Sequence, residues 1–330
     1  MTASPGLWLL AWRRLRADRV AMVALAVVTA FLVLLALSAS GLVAADWERE
    51  VGVNYAPPVF AGPDAASAAT LAARGPLPPN AFDPLAPEIA ALGQSGAVVA
   101  PVAKRTTLPF GADKWGHDIV KKTIKGAQTS IVVGLGAALL AVALGTLFGA
   151  FAGFYGGLVD DLFNWFYSVF TSIPAILMIL TVAAVLQQKG VVTIVLILGL
   201  TGWTGPFRLI RAEYIKHKGR EYVLAAHAIG ASNGRKMFSH IFPNVSHVAL
   251  VQLSILVVGF IKAEVILSFL GFGVPVGTVS WGSMLGEAQN ELILGKWWQL
   301  AAAASSMALL VTAFSLLTDA LRDALDPKRT

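Results

Sequence analysis

Apolar positions in this chain neither alternate nor fall on a narrow stripe; they come in long blocks. Near 20–43, 128–154, 161–186, 191–210, 246–272 and 297–320 the apolar residues follow one another with few charges between them. About 20 such residues in a helix cross the roughly 30 Å of bilayer hydrocarbon. A helix in lipid also satisfies its own backbone hydrogen bonds. The pattern predicts an all-α membrane protein with six transmembrane helices. The first block has a charged start and a small-residue end, as a cleaved signal peptide would. Its apolar run of about 24 residues exceeds the roughly 7–15 of a signal core, so a retained anchor helix is expected over 20–43.

The polar segments between the blocks set the orientation. Arg13, Arg14, Arg16 and Arg19 oppose Asp18 ahead of the first block. Residues 208–236 carry Arg208, Arg211, Lys216, Lys218, Arg220, Arg235 and Lys236 against Glu213 and Glu221. Cationic loops stay on the cytoplasmic side of a membrane. Four spans separate these two basic segments, so parity places them on one side. Two further spans return the tail, with Arg322, Lys328 and Arg329, to that side. The expected layout is a cytoplasmic N-terminus at 1–19, an external loop at 44–126 and a five-helix core at 127–320. That core holds a cytoplasmic loop at 212–243, and a cytoplasmic tail follows at 321–330. Lys121, Lys122 and Lys125 run against the charge rule, and an amphipathic external helix at the interface is the explanation the sequence offers. The external segment holds ten of the sixteen prolines, and its eight acids balance eight bases. With no helix or strand period, it reads as a loosely structured excursion and not as a catalytic domain.

Composition narrows the function classes. Hydrophobic residues make up 56% and charged ones 13%, against about 25% charged in a soluble domain. Mean hydropathy is +0.70. With no cysteine there is no disulfide framework, thiolate metal site or cysteine nucleophile, and the five histidines show no ligand spacing. No Walker phosphate loop, H-E-x-x-H or G-x-S-x-G occurs, so no catalytic residue and no metal site is expected. A basic patch can bind nucleic acid, but beside apolar spans it fixes topology, so no nucleic-acid partner is expected. Charges inside spans are costly and face a bundle interior or water. Asp160 and Asp161 open the third block; Lys262 and Glu264 lie in the fifth, two residues apart and so on different helix faces. Lys262, Glu264 and Ser268 are the candidates for a pathway or a subunit contact. A group from a partner subunit or a bound water is expected to satisfy Glu264. Gly145, Gly149, Gly153 and Gly157 follow Ala141 at four-residue steps, a face that lets another helix approach closely.

The stretch "EYVLAAHAIGASNGRKMFSHIFPN", Glu221 to Asn244, breaks the apolar pattern. Ala225 and Ala226 on a short helix make a low-relief knob, Gly230 turns the chain, and Pro243 ends the loop where the next span begins. This spacing resembles the coupling loop of ABC importer permeases, the EAA loop. The flanks "GWTGPFRLIRAEYIKHKGREYVLAAHAIGAS", "AEVILSFLGFGVPVGTVSWGSML" and "LTDALRDALDPKR" resemble the dipeptide, oligopeptide and nickel branch, and "FGADKWGHDI" is similar to that branch's G-T-D-x-x-G-R-D element. The resemblance covers about 108–329, with the anchor and external loop of the C-type subunit. It implies a type I ABC importer permease fold in the bacterial cytoplasmic (inner) membrane. It implies pairing with a second permease, two ATPase subunits that bind the ATP and Mg, and an external substrate-binding protein. No cofactor would be bound by this chain, which would not itself be an enzyme. Glu221, Leu224, Ala225, Ala226, Gly230, Ala231 and Pro243 would form the contact with the ATPase. The cargo could be a dipeptide, a longer peptide, a nickel chelate, haem or glutathione. Five positions depart from the pattern: Leu224 stands for the usual Glu, Phe242 for a leucine, Trp165 and Ser168 for an Arg and an Asp, and Lys262 is an added charge. An ion-gradient-driven transporter would instead need inverted repeats and broken helices, and no repeat relates the halves. A scaffold without transport would have no use for the long basic loop.

Overall fold

The computed structural model describes residues 7–62 and 104–325. Within them the chain is helical: α1 Leu7–Ala17, α2 Arg19–Ala39, α3 Ile119–Tyr155, α4 Gly157–Thr171, α5 Ala175–Leu186, α6 Val191–Thr201, α7 Thr204–Lys218, α8 Glu221–Ala228, α9 Phe242–Phe269, α10 Trp281–Ile293 and α11 Trp298–Leu325. A helical turn at Asn233–Arg235 and a π turn at Lys236–Ile241 lead into α9. The expected all-α membrane fold is the one adopted. Four helical runs are long and apolar enough to cross a bilayer, and two bent pairs bring the number to six.

The helices start where the sequence supplies caps. Asp18 accepts from the Val20 amide at 2.8 Å ahead of α2, and Asp118 does the same for Val120 at 2.8 Å ahead of α3. Ser280 and Ser283 exchange side-chain and backbone hydrogen bonds at the start of α10. The third expected span is not straight. α4 and α5 meet at 84°, with Pro174 at the break. Proline has no N–H to give and disfavours helix in the residue before it. Even so, the pair carries the chain across the bundle. Asp160 of α4 meets Arg211 of α7, whereas Ala183 and Gln187 lie beside Gly271 and Phe272, past the far end of α9. α6 and α7 meet at 42° around Gly202, where a Cβ would sit 2.3 Å from the Phe260 ring.

The central contact is α3 against α7. A Cβ on Gly145, Gly149 or Gly153 would lie 2.6, 2.7 and 2.6 Å from the carbonyl oxygens of Trp203, Phe207 and Arg211. The two backbones therefore touch, and the pairing advances in step, so the helices run parallel. The stripe is one glycine shorter than the spacing suggests. α3 ends at Tyr155, and Gly156 and Gly157, at φ +69 and +53, turn the chain into α4.

One end of the bundle carries a cap, made from both flanks of the proline-rich segment. Val53 N–H donates to Arg105 O at 2.9 Å, Arg105 N–H to Val51 O at 3.0 Å and Ala112 N–H to Ala56 O at 2.8 Å. Gly116 has φ +87 and approaches Gly52 O so closely that a Cβ would stand 2.2 Å away. Ala56, Leu108 and Ala112 form its small buried core. The expectation of a loose excursion is thus corrected for 44–62 and 104–118, and residues 63–103 lie outside the described ones. The cap is bound to the bundle by the lysines that run against the charge rule. Lys121 pairs with Asp46 at 2.7 Å. Buried Lys122 reaches Asp113 and Glu287 at 2.6 Å each. Asp113 also accepts from the Trp115 and His117 amides at 2.9 Å. Burial alone would raise its pKa, but the Lys122 ammonium and the His117 amide hold the carboxyl below its ordinary value. The opposite end carries α8, the start of α9, α1 and the end of α11, where Arg14 donates to Ala324 O at 3.4 Å.

Two consequences can be measured by thermal unfolding of the detergent-solubilised chain. Gly149→Ala should cost about 1–3 kcal/mol through overpacking, whereas Gly234→Ala, whose methyl meets open space, should be nearly neutral. Asp113→Ala removes one partner of a buried lysine and should cost about 3–5 kcal/mol. The Asp113 contribution is complete at neutral pH, because its folded pKa lies below the unfolded one, and is lost as pH falls through the folded value. A variant as acid-sensitive as the parent would contradict this.

Candidate functional site

Two groups of expected site residues fall in two places, one at the loop end and one inside the bundle. At the loop end, α8 has only 8 residues, too few for a stable isolated helix. It is held by packing: Val223 inserts into a cluster with Phe154, Ile210, Tyr214, Met237 and Ile241, and Ala226 is buried beneath the helix as well. Tyr214 Oη donates to Met237 O at 3.2 Å beneath it. Gly230 ends the helix at φ +80 with nothing near its Cβ position, so conformation and not space requires glycine here. The Ala231 N–H returns to Ala226 O at 3.0 Å, and exposed Pro243 sits in the first turn of α9.

This geometry divides the expected contact residues. Leu224 is 55% exposed and Ile229 86%, with Glu221, Ala225 and Gly230 exposed beside them. Ala226 is only 5% exposed and faces the permease interior. The reason is helical geometry: successive residues point about 100° apart, so Ala225 and Ala226 cannot share an outward face. Ala226 is therefore absent from the outward surface, and Ile229, which the spacing did not flag, is part of it. With Leu224 in place of an acid, the outward surface of α8 is an apolar ledge.

Inside the bundle, Glu264 is fully buried on α9 at 0% exposure. Ser130 Oγ of α3 donates to one carboxylate oxygen at 2.6 Å and Ser268 Oγ to the other at 2.6 Å. The Trp281 N–H of α10 donates to Ser130 Oγ at 3.2 Å, and the Val274 N–H to Ser268 Oγ at 3.3 Å. The expected partner for Glu264 from another subunit or from water is thus replaced by two serines of this chain, one of which, Ser130, carries no signal in the sequence. Lys262 points the other way. It is exposed on a strip of α9 with Ile255, Ile266 and Phe269. The three expected pathway residues thus separate, with Glu264 and Ser268 inward and Lys262 outward. Asp160 takes a bidentate pair from Arg211 at 2.5 and 2.6 Å, binding α4 to α7. Of the departures from the family pattern, Trp165 is exposed, and Ser168 Oγ donates back to Asn164 O at 2.8 Å. Among the described residues no three His, Asp or Glu side chains converge on a metal-sized site.

Residues 145–330, which include α8 and α9, match the family described as the binding-protein-dependent transport system inner membrane component. The chain belongs to this permease family. Residues 6–58 match the N-terminal transmembrane domain of oligopeptide transport permease C, so the anchor and first strip of the cap are family parts too. The permease is 36% identical over 219 residues to the oligopeptide transport system permease protein OppC of Bacillus subtilis, covering 66% of this chain and 71% of the relative. The dipeptide transport system permease protein DppC of the same organism is 36% identical over 219 residues, or 66% and 68%. OppC of Haemophilus influenzae is 33% identical over 219 residues, or 66% and 70%. The permease is accordingly a multi-pass inner-membrane component of an ABC importer.

The Glu264 network separates hydrogen bonding from charge. Glu264→Gln keeps the acceptor and the shape and should change stability by less than about 1 kcal/mol. Glu264→Leu strands the Ser130 and Ser268 hydroxyls and should cost about 1–3 kcal/mol for each buried group left unpaired. Thermal unfolding of both variants in detergent checks this; equal losses for Gln and Leu would make charge the decisive property.

Proposed function

We propose that this chain is the C-type permease of an importer for dipeptides, oligopeptides or related small solutes, working as a heterodimer with a second permease. Two ATPase subunits would bind the ATP and Mg, and an external binding protein would deliver cargo. The observation that carries the reading is the apolar ledge of α8, Leu224, Ala225 and Ile229, exposed on a helix whose other face is locked into the bundle. An exposed apolar surface of this kind is a protein contact. Its position with α1 and the end of α11 is the cytoplasmic one by charge asymmetry, which puts the cap outside. The names of the relatives, oligopeptide and dipeptide permeases, support the cargo class.

The mechanism follows from what α8 touches. ATPase closure would displace α8. Val223 would pass the displacement to α7, the π turn and α9, and the glycine contact makes α3 move with α7. The spans then rock as rigid bodies between inward- and outward-facing arrangements. Lys262 and its exposed strip on α9 would line the path or meet the second permease. The bent pairs supply the broken helices that an ion-driven transporter needs, but the breaks, Ser172 to Pro174 and Gly202 to Trp203, carry no ionisable side chain.

The two alanines give opposite expectations. Ala225→Trp enlarges the outward ledge, so the importer should assemble but lose about tenfold or more of its cargo-stimulated ATP hydrolysis. Ala226→Trp overpacks the interior, so the chain itself should lose stability and assemble poorly. Reconstituted importer with wild-type hydrolysis and uptake from Ala225→Trp would sink the coupling role of α8.

A further inference from the structure

A cavity of about 910 Å³ opens at the cap end, between the cap, the 274–279 loop and α10. Sites that hold small ligands span roughly 300–1,000 Å³. Trp47, Tyr55 and Trp115 form its aromatic side, and Glu287 and Glu291, one helical turn apart on α10, its acidic side. The bases nearby are already engaged. Lys122 is committed to Asp113 and Glu287 at 2.6 Å each, and Lys114 Nζ lies 5.7 Å from the centre of the Trp115 ring. Glu291 is different. It belongs to the cavity wall and is 2% exposed; among the described residues neither carboxylate oxygen makes a well-formed hydrogen bond, and the nearest donor is the backbone N–H of Lys114. A buried acceptor left without a donor is expensive, so such a group points to a donor that arrives from outside. No metal-sized cluster of three ligands converges among the described residues, and the aromatic side chains of the wall favour a cationic N–H donor over a neutral hydroxyl.

We propose that this cavity is a binding site for an ammonium group, with Glu291 as its counter-ion and the aromatic side chains of the cap as its apolar wall. Ammonium ions are attracted both to carboxylates and to aromatic faces. The inference deepens the proposed function and rests on it for biological meaning: a peptide carries an ammonium at its N-terminus, and the cavity lies where cargo would reach the permease from outside. Burial raises the Glu291 pKa to about 7, Lys122 of α3 pulls it down, and Glu287 of α10 and Asp113 of the cap push it up. Tyr55 of the cap also faces it, and His117 shares the cavity wall. An arriving ammonium favours the ionised carboxylate, so binding strengthens as pH rises through about 7.

The test uses the full chain in nanodiscs without ATPase subunits, read by the fluorescence of the wall tryptophans. Trialanine at pH 7 should bind about tenfold or more tightly than N-acetyltrialanine, which lacks the ammonium. Glu291→Gln should weaken trialanine by about tenfold. Butylammonium, whose charge is constant between pH 5 and 8, should bind more tightly with rising pH to the parent, and with a flat profile to Glu291→Gln. Equal affinity for the free and acetylated peptides, or parent-like binding and pH profile in Glu291→Gln, overturns the proposal. The peptide comparison uses the unaltered chain and decides the matter even where the variant fails to insert. Binding here with no uptake by the assembled importer would fault the function reading alone, and uptake without binding here would fault only this site.

Discussion

Inside hydrocarbon no solvent penalty drives helices together, so the fold depends on how closely their backbones can meet. In this permease that constraint is answered at the contact of α3 with α7. Three glycines let the two backbones touch over more than two turns. Dispersion attraction falls off steeply with distance, so contact without intervening side chains yields the most attraction per unit length. The same closeness forbids sliding, because any added atom collides with a carbonyl. α3 also carries Ser130, toward Glu264 of α9, and Lys122, toward the cap. The other elements therefore take their positions from a pair that behaves as one body.

The buried polar groups sit where elements join. Asp113, Lys122, Glu287 and Gln299 bring together the cap, α3, α10 and α11. Glu264, Ser130 and Ser268 join α9 to α3, and through the Trp281 amide to α10. Asp160 and Arg211 join α4 to α7. Such groups contribute little net energy when intact but are costly to break, because the remaining partner stays buried. They act as registers: each excludes the packings that would leave it unpaired. The exposed pair Lys104 and Glu50 on the cap surface has no comparable consequence, since water replaces either partner.

What was legible in the sequence was local. The spans, the glycine stripe and the spacing from Ala225 to Pro243 are patterns within a few tens of residues, and they located the bundle and the loop. The cap was not legible, because its hydrogen bonds join residues such as Val53 and Arg105 across the long proline-rich segment, and no period records such pairing. The lysines in the first turns of α3 run against the charge rule because two of their partners, Asp46 and Glu287, lie far away in the chain. Pro174 could have announced the sharp bend in the third span; Gly202 could not, since its role appears only against Phe260. Ala226 was assigned outward because spacing gives a helix its period but not the direction in which its face points.

The two ends of the bundle obey different physics, and this suits a transporter. The cap end is fastened by charge pairs and hydrogen bonds that resist small displacements, because their geometry is narrow. At the loop end α8 is fastened by apolar packing, with Val223 set among Phe154, Met237 and Ile241, while the Asp160–Arg211 pair holds α4 to α7 beside it. Apolar contacts tolerate rotation and sliding by fractions of an ångström better than charge pairs do, yet they transmit a push because a packed interior compresses little. α8 is too short to stand alone, and Gly230 fixes its exit, so a force on Leu224 or Ile229 has no route except through that packed cluster. A device that must move at α8 and keep its shape elsewhere therefore needs an apolar seat under that one helix, with the polar locks kept to the cap and to the α4–α7 joint.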